Sequence, residues 1–576
     1  CAELPHTIAY EAEDDAGIWH ATTYSEYGEL VERAALGLRD LGIGEGDCVA
    51  IFGDTVPEWS ILNLGAQAAG AHISGIYQTS TAEQAVYIIH DSSAKICCVD
   101  TPERLEILLS RRDELPHVTT YIYWGDALPD DDAVVSYEQV LASGEKIKQT
   151  SPDSYGEMVA AISPEAYAVL VYTSGTTGMP KGVILTHGNC MANVHKLNEH
   201  GIYHAEDSLI AFLPMSHVAE YLTWVGRVMG GLTAYFCPDF SKIGKTILEK
   251  QPTILVAVPR VYEKVYQKII SSVENSSEKK KKIFNWAWGV GAAASKYTVE
   301  SKSLPLGLAI KHRIADKLVL SKVRAQLGGK VRMCVTAAAP MDSEIMSFFW
   351  AFGLPMLEAY GLSETCGASH INVMGAVKIG TVGRVLNGID CRIAEDGEVL
   401  MRGDSIFKGY LNKPEATSEA INAEGWFQTG DIGEIDEDGF LRITDRKKNL
   451  IITAGGKNVA PNNSELLIKR EPLVSQVVVL GDRKPYLIAL ITLATDVAKA
   501  EGLGDHEIHE RLQAAIDRAN AQLAKYERVQ KYHLLDEEFT VESGEMTPTM
   551  KIKRNVVANN HADVVERLYG EVKNPA

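Results

Sequence analysis

Apolar residues recur at helical spacing through Thr23–Leu41 (TYSEYGELVERAALGLRDL), a segment that opens on Thr and Ser and stops before Gly42. That spacing predicts an amphipathic helix with a hydroxyl cap at its start. Cys48–Phe52 is a short unbroken apolar run and predicts a buried strand, followed by a helix over Val56–Gly70 and a strand over Ala71–Tyr77. Helices and strands in alternation predict parallel sheets covered by helices, and Ser208–Pro214 and Thr253–Val258 continue the series. Ala166–Tyr172 (AYAVLVY) and Val183–Thr186 predict two more strands on either side of a polar, glycine-rich loop.

From Ile379 the pattern changes to short strands separated by Gly, Asp and Asn, such as Gly397–Arg402 and Phe440–Thr444, which predict a small antiparallel, barrel-like unit. Asp445–Lys448 then interrupts with four polar residues, three of them cationic. Beyond it a strand (Asn449–Thr453), a helix (Asn463–Lys469), a strand pair (Gln476–Gly481, Tyr486–Thr492) and a long helix (His506–Ala524) predict a compact α+β unit. The predicted fold is α/β and multi-domain. A large N-terminal domain over 1–445 holds two helix-covered sheets and a barrel-like part at about 379–445, and a small C-terminal domain covers 446–576.

Composition narrows the class of partner. Of 576 residues, 46% are hydrophobic and 23% charged, which is ordinary for a soluble protein with a large core. Nine cysteines lack paired spacing, and Cys97-Cys98 falls in an apolar run (KICCVD), so a reducing, cytoplasmic setting is expected. The net charge of −20 disfavours nucleic acid. The longest uncharged stretch, Trp59–Ala82, is broken by Asn63, Gln67 and His72 and does not read as a membrane span. Lys279–Lys330 is different, with twelve Lys and Arg against only Glu300 and Asp316, and with Trp286 and Trp288 just after a run of four lysines. Two readings fit it: a peripheral contact with anionic membrane, or a solvated helical face with both tryptophans packed inward. No pattern signals an oligomeric state.

The loop between Tyr172 and Val183 carries the chemistry. Thr173–Met179 holds two glycines and four hydroxyl side chains, and Lys181 follows. Glycines let backbone N–H groups approach an oligophosphate, hydroxyls donate to its oxygens, and the lysine adds positive charge. A Walker A loop is excluded, because Lys181 lies between Pro180 and Gly182 and leads into a strand rather than a helix. No GxSxG elbow or metal-binding histidine cluster supports a hydrolase.

The stretch TSGTTGMPKGV resembles the signature of the adenylate-forming superfamily, which comprises acyl-CoA synthetases, peptide-synthetase adenylation domains and luciferases. The resemblance recurs in order along the chain, in Thr336–Pro340 (TAAAP), Tyr360–Thr365 (YGLSET), Gly425–Asp431 (GWFQTGD), Asp445–Lys448 (DRKK) and Thr547–Arg554 (TPTMKIKR). It implies that Thr173, Ser174, Gly175, Thr176, Thr177, Gly178 and Lys181 hold the phosphates of ATP. Ala338, Ala339 and Pro340, with Glu358, Ala359, Tyr360 and Gly361, would sandwich adenine between a backbone edge and an aromatic ring. Ser363 would touch the α-phosphate, Thr173 and Glu364 would hold Mg²⁺, and Asp431 and Arg446 would contact ribose.

Lys448 would be the pivot about which a mobile C-terminal domain rotates. Gly455, Gly456, Lys457 and Asn458 would shape the tunnel for CoA. Lys551 would be the adenylation lysine. Met550 stands where a glycine is usual, and Lys553 competes for the role, but the spacing Lys-x-x-Arg ending at Arg554 favours Lys551. His217, in LPMSHVAE, resembles the residue that closes over the acyl carboxylate; it also reads as an ordinary helix-start histidine.

LPMSHVAE, VPRVYEK (Val258–Lys264), the basic insertion and TPTMKIKR together look like long-chain and bubblegum-type fatty acyl-CoA synthetases. The implied activity is ATP-dependent, AMP-forming ligation of a long-chain fatty acid to CoA. Tyr221 and Trp224 are candidates to gate an acyl channel, or are packing residues. The last helix is expected to end near Ala576 with no carrier domain after it, which favours free CoA. The alternatives are delivery of the fatty acyl-AMP to a carrier protein, or CoA ligation of another carboxylic acid.

Overall fold

The computed structural model describes residues 3–173, 179–547 and 551–570. Thr23 caps the helix Tyr24–Asp40 reciprocally: its hydroxyl accepts from the Glu26 N–H, and the Glu26 carboxylate accepts from the Thr23 N–H at 2.7 Å. Such a box stabilises a helix start by about 1 kcal/mol. Pro57 opens the helix Pro57–Ala68, where its missing N–H leaves no bond unmade. Cys48–Phe52 and His72–Ile76 are strands buried at every position, as is Ile96–Val99 with Cys97 and Cys98.

These strands belong to an eight-stranded sheet in the order Gly409–Tyr410, Lys181–Thr186, Tyr167–Thr173, His72–Ile76, Cys48–Phe52, Ile96–Val99, Thr120–Tyr123, Val134–Ser136. From Tyr167–Thr173 to Val134–Ser136 all neighbours run parallel. Lys181–Thr186 and Gly409–Tyr410 join antiparallel. The loop after Thr173 is too short for a parallel crossover, so the chain must turn back on itself.

Two helix-covered sheets were expected in the large unit; beside the eight-stranded sheet, the second is built from two strand sets that meet at one edge. A five-stranded sheet orders Ile254–Ala257, Met333–Thr336, Met356–Leu362, Gly367–Ile371 and Arg384–Val385, and a four-stranded sheet orders Ser208–Ala211, Thr233–Phe236, Ile8–Glu13 and Trp19–Thr23. They approach at one edge, where the Thr253 N–H donates to the Ser208 carbonyl at 3.0 Å. The N-terminal strands escaped the pattern because Trp19–Thr23 is exposed or half-exposed throughout and shows no apolar alternation.

The tryptophans of the basic region divide. Trp288 packs against Phe348 with centroids 5.3 Å apart, and also meets Phe284 and Phe352. Trp286, two residues earlier on the helix Glu278–Val299, is 40% exposed. Both tryptophans packed inward is therefore not what the fold shows; a helix turns residues two apart to opposite sides.

Two compact units emerge: residues 1–391 with 401–427, and residues 392–400 with 428–576. The sequence reading divides the chain near 446. The structure instead groups 428–445 with the C-terminal residues, because Phe427–Ile435 pairs with Leu441–Arg446 and Asp445 accepts from the backbone and side-chain N–H groups of Asn462. Asp445 and Arg446 are thus the last two residues of the strand Leu441–Arg446, and the interruption begins at Lys447. The strands Ile389–Ile393, Glu398–Gly403, Phe427–Ile435 and Leu441–Arg446 form a four-stranded sheet in that order.

In the second unit Leu487–Leu493 lies between Val474–Leu480 and Val529–Leu535. Alternate residues of these strands feed two cores. Val477, Val479, Ala489 and Ile491 meet Leu512 and Ile516 on one side, and Val478, Leu480, Ile488 and Leu490 meet Val557, Val564 and Leu568 on the other. Burial on both faces explains the unbroken apolar runs in the sequence.

Candidate active site

Thr173 and Lys181 face each other across the hairpin ladder. Ser174, Gly175, Thr176, Thr177 and Gly178 lie outside the described residues. Gly182 lies in close approach: a Cβ there would sit 3.0 Å from the Tyr172 ring, whose hydroxyl donates to Asp91 at 2.8 Å. The Lys181 ammonium lies 4.9 Å from the centre of the Tyr410 ring, and the Tyr410 hydroxyl donates to Glu364 Oε1 at 2.8 Å. Backbone pairing holds Tyr410 in place, opposite Val183. The fold thus links Lys181 to Glu364 through one tyrosine, with Thr173 opposite Lys181 in the ladder, so that a hydroxyl, a cation and a carboxylate gather at the base of the glycine-rich loop.

The second cluster lies at the C-terminal ends of two parallel strands, where ligand crevices form in open α/β sheets. Thr336 is in register with Glu358, so Ala338–Pro340 leave the sheet beside Ala359–Gly361, which continue their own strand paired with Gly367–Ile371. Glu358 is buried, accepts from the Met341 N–H at 3.3 Å, and so ties the alanine loop back to the strand. Ala338 has φ +72°, a left-handed conformation that strains any residue with a Cβ. Gly361 admits its neighbour: a Cβ there would fall 1.8 Å from the Gly367 carbonyl oxygen. Tyr360 is half-buried, with its ring 6.0 Å from that of His370, and Ser363 and Glu364 open a short 3₁₀ turn directly after this strand. His370 is buried, which pulls its pKa down to about 3 and keeps the ring neutral.

Burial pushes the Glu358 carboxyl up to about 8. A folded pKa above the unfolded value means that the contribution is complete below about pH 4.5 and is lost as pH rises toward 8. Glu358→Gln keeps the acceptor for Met341 and removes the titration. Its melting temperature relative to the parent is expected to rise steadily between pH 5.5 and 8 (about one to several degrees). A difference that stays flat across that window would show that Glu358 is not held protonated.

His217 caps the helix Val218–Gly230, with Nδ1 accepting from the Ala219 N–H at 3.1 Å, so a neutral ring carries its proton on Nε2. The helix-start role is real, and the bond also fixes the ring's orientation. Buried Glu220, one turn further, has its carboxyl pushed up to about 8 by burial. Tyr221 and Trp224 are fully buried, and the Tyr221 hydroxyl accepts from Gln67 Nε2 at 2.6 Å. They are packing residues here.

In the second unit, Asp431 and Arg446 are opposite each other in the ladder, and Arg446 Nε donates to Asp431 Oδ1 at 2.9 Å. Asp431 is buried while Arg446 is half-exposed. Lys447 bonds Asp396 at 2.6 Å and Glu398 at 3.0 Å, and Glu398 also accepts from the Gly430 N–H. Lys448 is exposed in the turn Lys447–Asn449. Gly455, Gly456, Lys457 and Asn458 form the exposed end of the hairpin Ile451–Ile452 with Asn458–Val459.

Lys551 is exposed; the Thr547 N–H donates to its carbonyl, and its own N–H donates to Thr547 Oγ1. Met550 lies outside the described residues. Lys553 is half-buried at the start of the helix Arg554–Asn560, and Arg554 is locked to Glu465 and to the Val479 carbonyl.

The AMP-binding enzyme family matches residues 1–411, and the AMP-binding enzyme C-terminal domain matches 448–573. The chain belongs to the AMP-binding enzyme family. Among its relatives, a protein of Mycobacterium bovis named long-chain-fatty-acid–CoA ligase FadD15 is 36% identical, over 98% of this chain and 95% of the relative. The long-chain-fatty-acid–CoA ligase ACSBG1 of Rattus norvegicus is 33% identical over all of this chain and 87% of its own length. The adenylation domain of a carboxylate reductase from Mycobacterium chelonae shares the fold, with a TM-score of 0.76 over 98% of this chain and 89% of that chain, at 22% identity.

Two residues of this AMP-binding enzyme escape sequence reasoning. Tyr410 sits in an unremarkable GYLNKP segment some 230 positions after Lys181, and nothing local marks it. Lys447 stands in the sequence only as part of a cationic run. Mg²⁺ suits the first cluster: Thr173 and Glu364 are hard oxygen donors, and phosphate oxygens and water normally complete such a shell.

Proposed function

We propose that the protein is a long-chain fatty acid–CoA ligase that forms an acyl-adenylate and then a CoA thioester. The observation that carries the reading is the Lys181–Tyr410–Glu364 arrangement at the glycine-rich hairpin. The acyl class comes from the names of the near full-length relatives.

In the first half-reaction a carboxylate oxygen of the acid attacks the α-phosphorus of ATP, and the bond to the β-phosphate oxygen breaks to release pyrophosphate. Both reactants are anions, so positioning and charge compensation are the enzyme's task. Lys181 and the amides of residues 174–178 hold the phosphates, while Ala338–Pro340 and Tyr360 hold adenine. Asp431 accepts from the ribose hydroxyls beside Arg446. Lys551 bridges the carboxylate and α-phosphate oxygens, and His217 closes over the acyl carboxylate. Thr173 and Glu364 would hold Mg²⁺, which when bound would supply charge neutralisation on the phosphates.

In the second half-reaction the CoA thiolate attacks the acyl carbonyl carbon and AMP leaves. The second unit turns about Lys448 between the two steps, withdrawing Lys551 and bringing Gly455–Asn458 to the pantetheine arm.

The decisive assay offers a panel of carboxylic acids with ATP, with and without CoA, and measures pyrophosphate and thioester separately. Acids of about 12 to 18 carbons should give both products, since each buried methylene adds about 0.8 kcal/mol. Turnover of benzoates or amino acids without palmitate-like acids would overturn the substrate class. Pyrophosphate release that never yields acyl-CoA would point to a carrier-protein acceptor.

A further inference from the structure

The helix Leu306–Ala315 and the turn Asp316–Leu320 that continues it present Leu306, Ile310, Ile314 and Leu318 to solvent, 80%, 56%, 49% and 47% exposed. A spacing of four residues sets such side chains along one helical face. Four consecutive large aliphatics left bare on one face are unusual for a water-exposed helix. Exposed Lys311, Arg313 and Lys317 are interleaved with them. The helix Glu278–Val299, against which this helix packs, adds exposed Ile283 and Trp286 and the lysines of its first turns.

The acidic residues within residues 278–320 are each paired with a cation. Glu278 pairs with Lys281 at 2.9 Å, Glu300 with Lys302 at 2.6 Å and Asp316 with Arg324 at 2.7 Å. A chain of net charge −20 has thus concentrated cations around its barest apolar stripe. We propose that this two-helix face is a docking surface for anionic phospholipid bilayer, with the Leu306–Leu318 stripe entering the headgroup boundary and the flanking lysines and arginines contacting phosphates.

Charge complementarity selects this occupant. Two copies joined symmetrically through the face would oppose their own cations. Nucleic acid would find cations there, but its phosphates and base edges gain nothing from a row of leucine and isoleucine. The inference builds on the fatty-acid reading by naming the surface at which the enzyme meets its substrate. Its test reads binding rather than turnover, so failure of either leaves the other standing.

The test is flotation of the full chain with phosphatidylcholine vesicles, neutral or containing about one-third phosphatidylglycerol. The parent protein should bind the anionic vesicles about tenfold or more tightly than the neutral ones, and less tightly in high salt. Ile310→Glu/Ile314→Glu and, separately, Lys311→Glu/Lys317→Glu should each lose about tenfold in vesicle binding. All four positions are exposed, so both variants should melt as the parent does and turn over a long-chain acid supplied below its micelle concentration as the parent does. No binding of the parent to anionic vesicles, or unchanged binding by the Ile310/Ile314 variant, would overturn the proposal. So would a parent dimer that this variant splits without any vesicle binding, since the stripe would then be covered by a second copy.

Discussion

Lys551→Ala is expected to cut ATP–pyrophosphate exchange in the presence of a long-chain acid by about 10²–10³-fold, the usual loss when one convergent charge donor is removed from a transition state. Thioester formation from supplied acyl-AMP and CoA should stay within about threefold of the parent, because that step breaks the acyl–phosphate bond without the lysine. Lys551 is exposed and belongs to neither apolar core, so the variant should fold. Lys553→Ala is the necessary companion. Its side chain is half-buried beside Arg554, whose guanidinium is committed to Glu465 and the Val479 carbonyl. If Lys553→Ala loses exchange and Lys551→Ala does not, the assignment is reversed. Equal failure of Lys551→Ala in both half-reactions would mean that it damages the unit rather than one step.

Glu364→Ala carries the second large effect, an expected loss of about 10²–10³-fold in adenylation, again with thioesterification of supplied acyl-AMP largely spared. Removing the divalent cation with a chelator should lower the parent toward the variant and leave the variant nearly unchanged. The structure adds a graded control. Tyr410 donates to Glu364 Oε1 while its ring lies against Lys181, so Tyr410→Phe loses one charge-assisted hydrogen bond and keeps the aromatic face. Such a bond is worth about 1.5–3 kcal/mol, or about ten- to 150-fold. Tyr410→Phe should therefore fall between the parent and Glu364→Ala, chiefly in the apparent KM for ATP. A tyrosine variant weaker than the glutamate variant would place Tyr410, not Glu364, at the reacting phosphate.

Much of this molecule was legible along the chain because its signals are local. The capped helix after Thr23, the buried strand Cys48–Phe52 and the hairpin around the glycine-rich loop each arise from a few neighbouring residues. The signature segments likewise pointed to the family that the whole-chain comparisons show. The roles assigned to Ser174–Gly178 rest on sequence alone, since they lie outside the described residues.

What the sequence determined by itself was most of the elements and the kind of chemistry, since periodicity and turn residues act over a few positions. The tertiary structure alone decided that Tyr410 lies under Lys181, that Arg446 lies across from Asp431, that Glu358 is buried behind the alanine loop, and that Trp288 is half-buried against Phe348 while Trp286 and the Leu306–Leu318 stripe are exposed. Each of these depends on strand register or helix packing between residues from two to more than two hundred positions apart. Which side chain faces which is set by the closing of sheets and the filling of cores, and no local pattern along the chain contains that information.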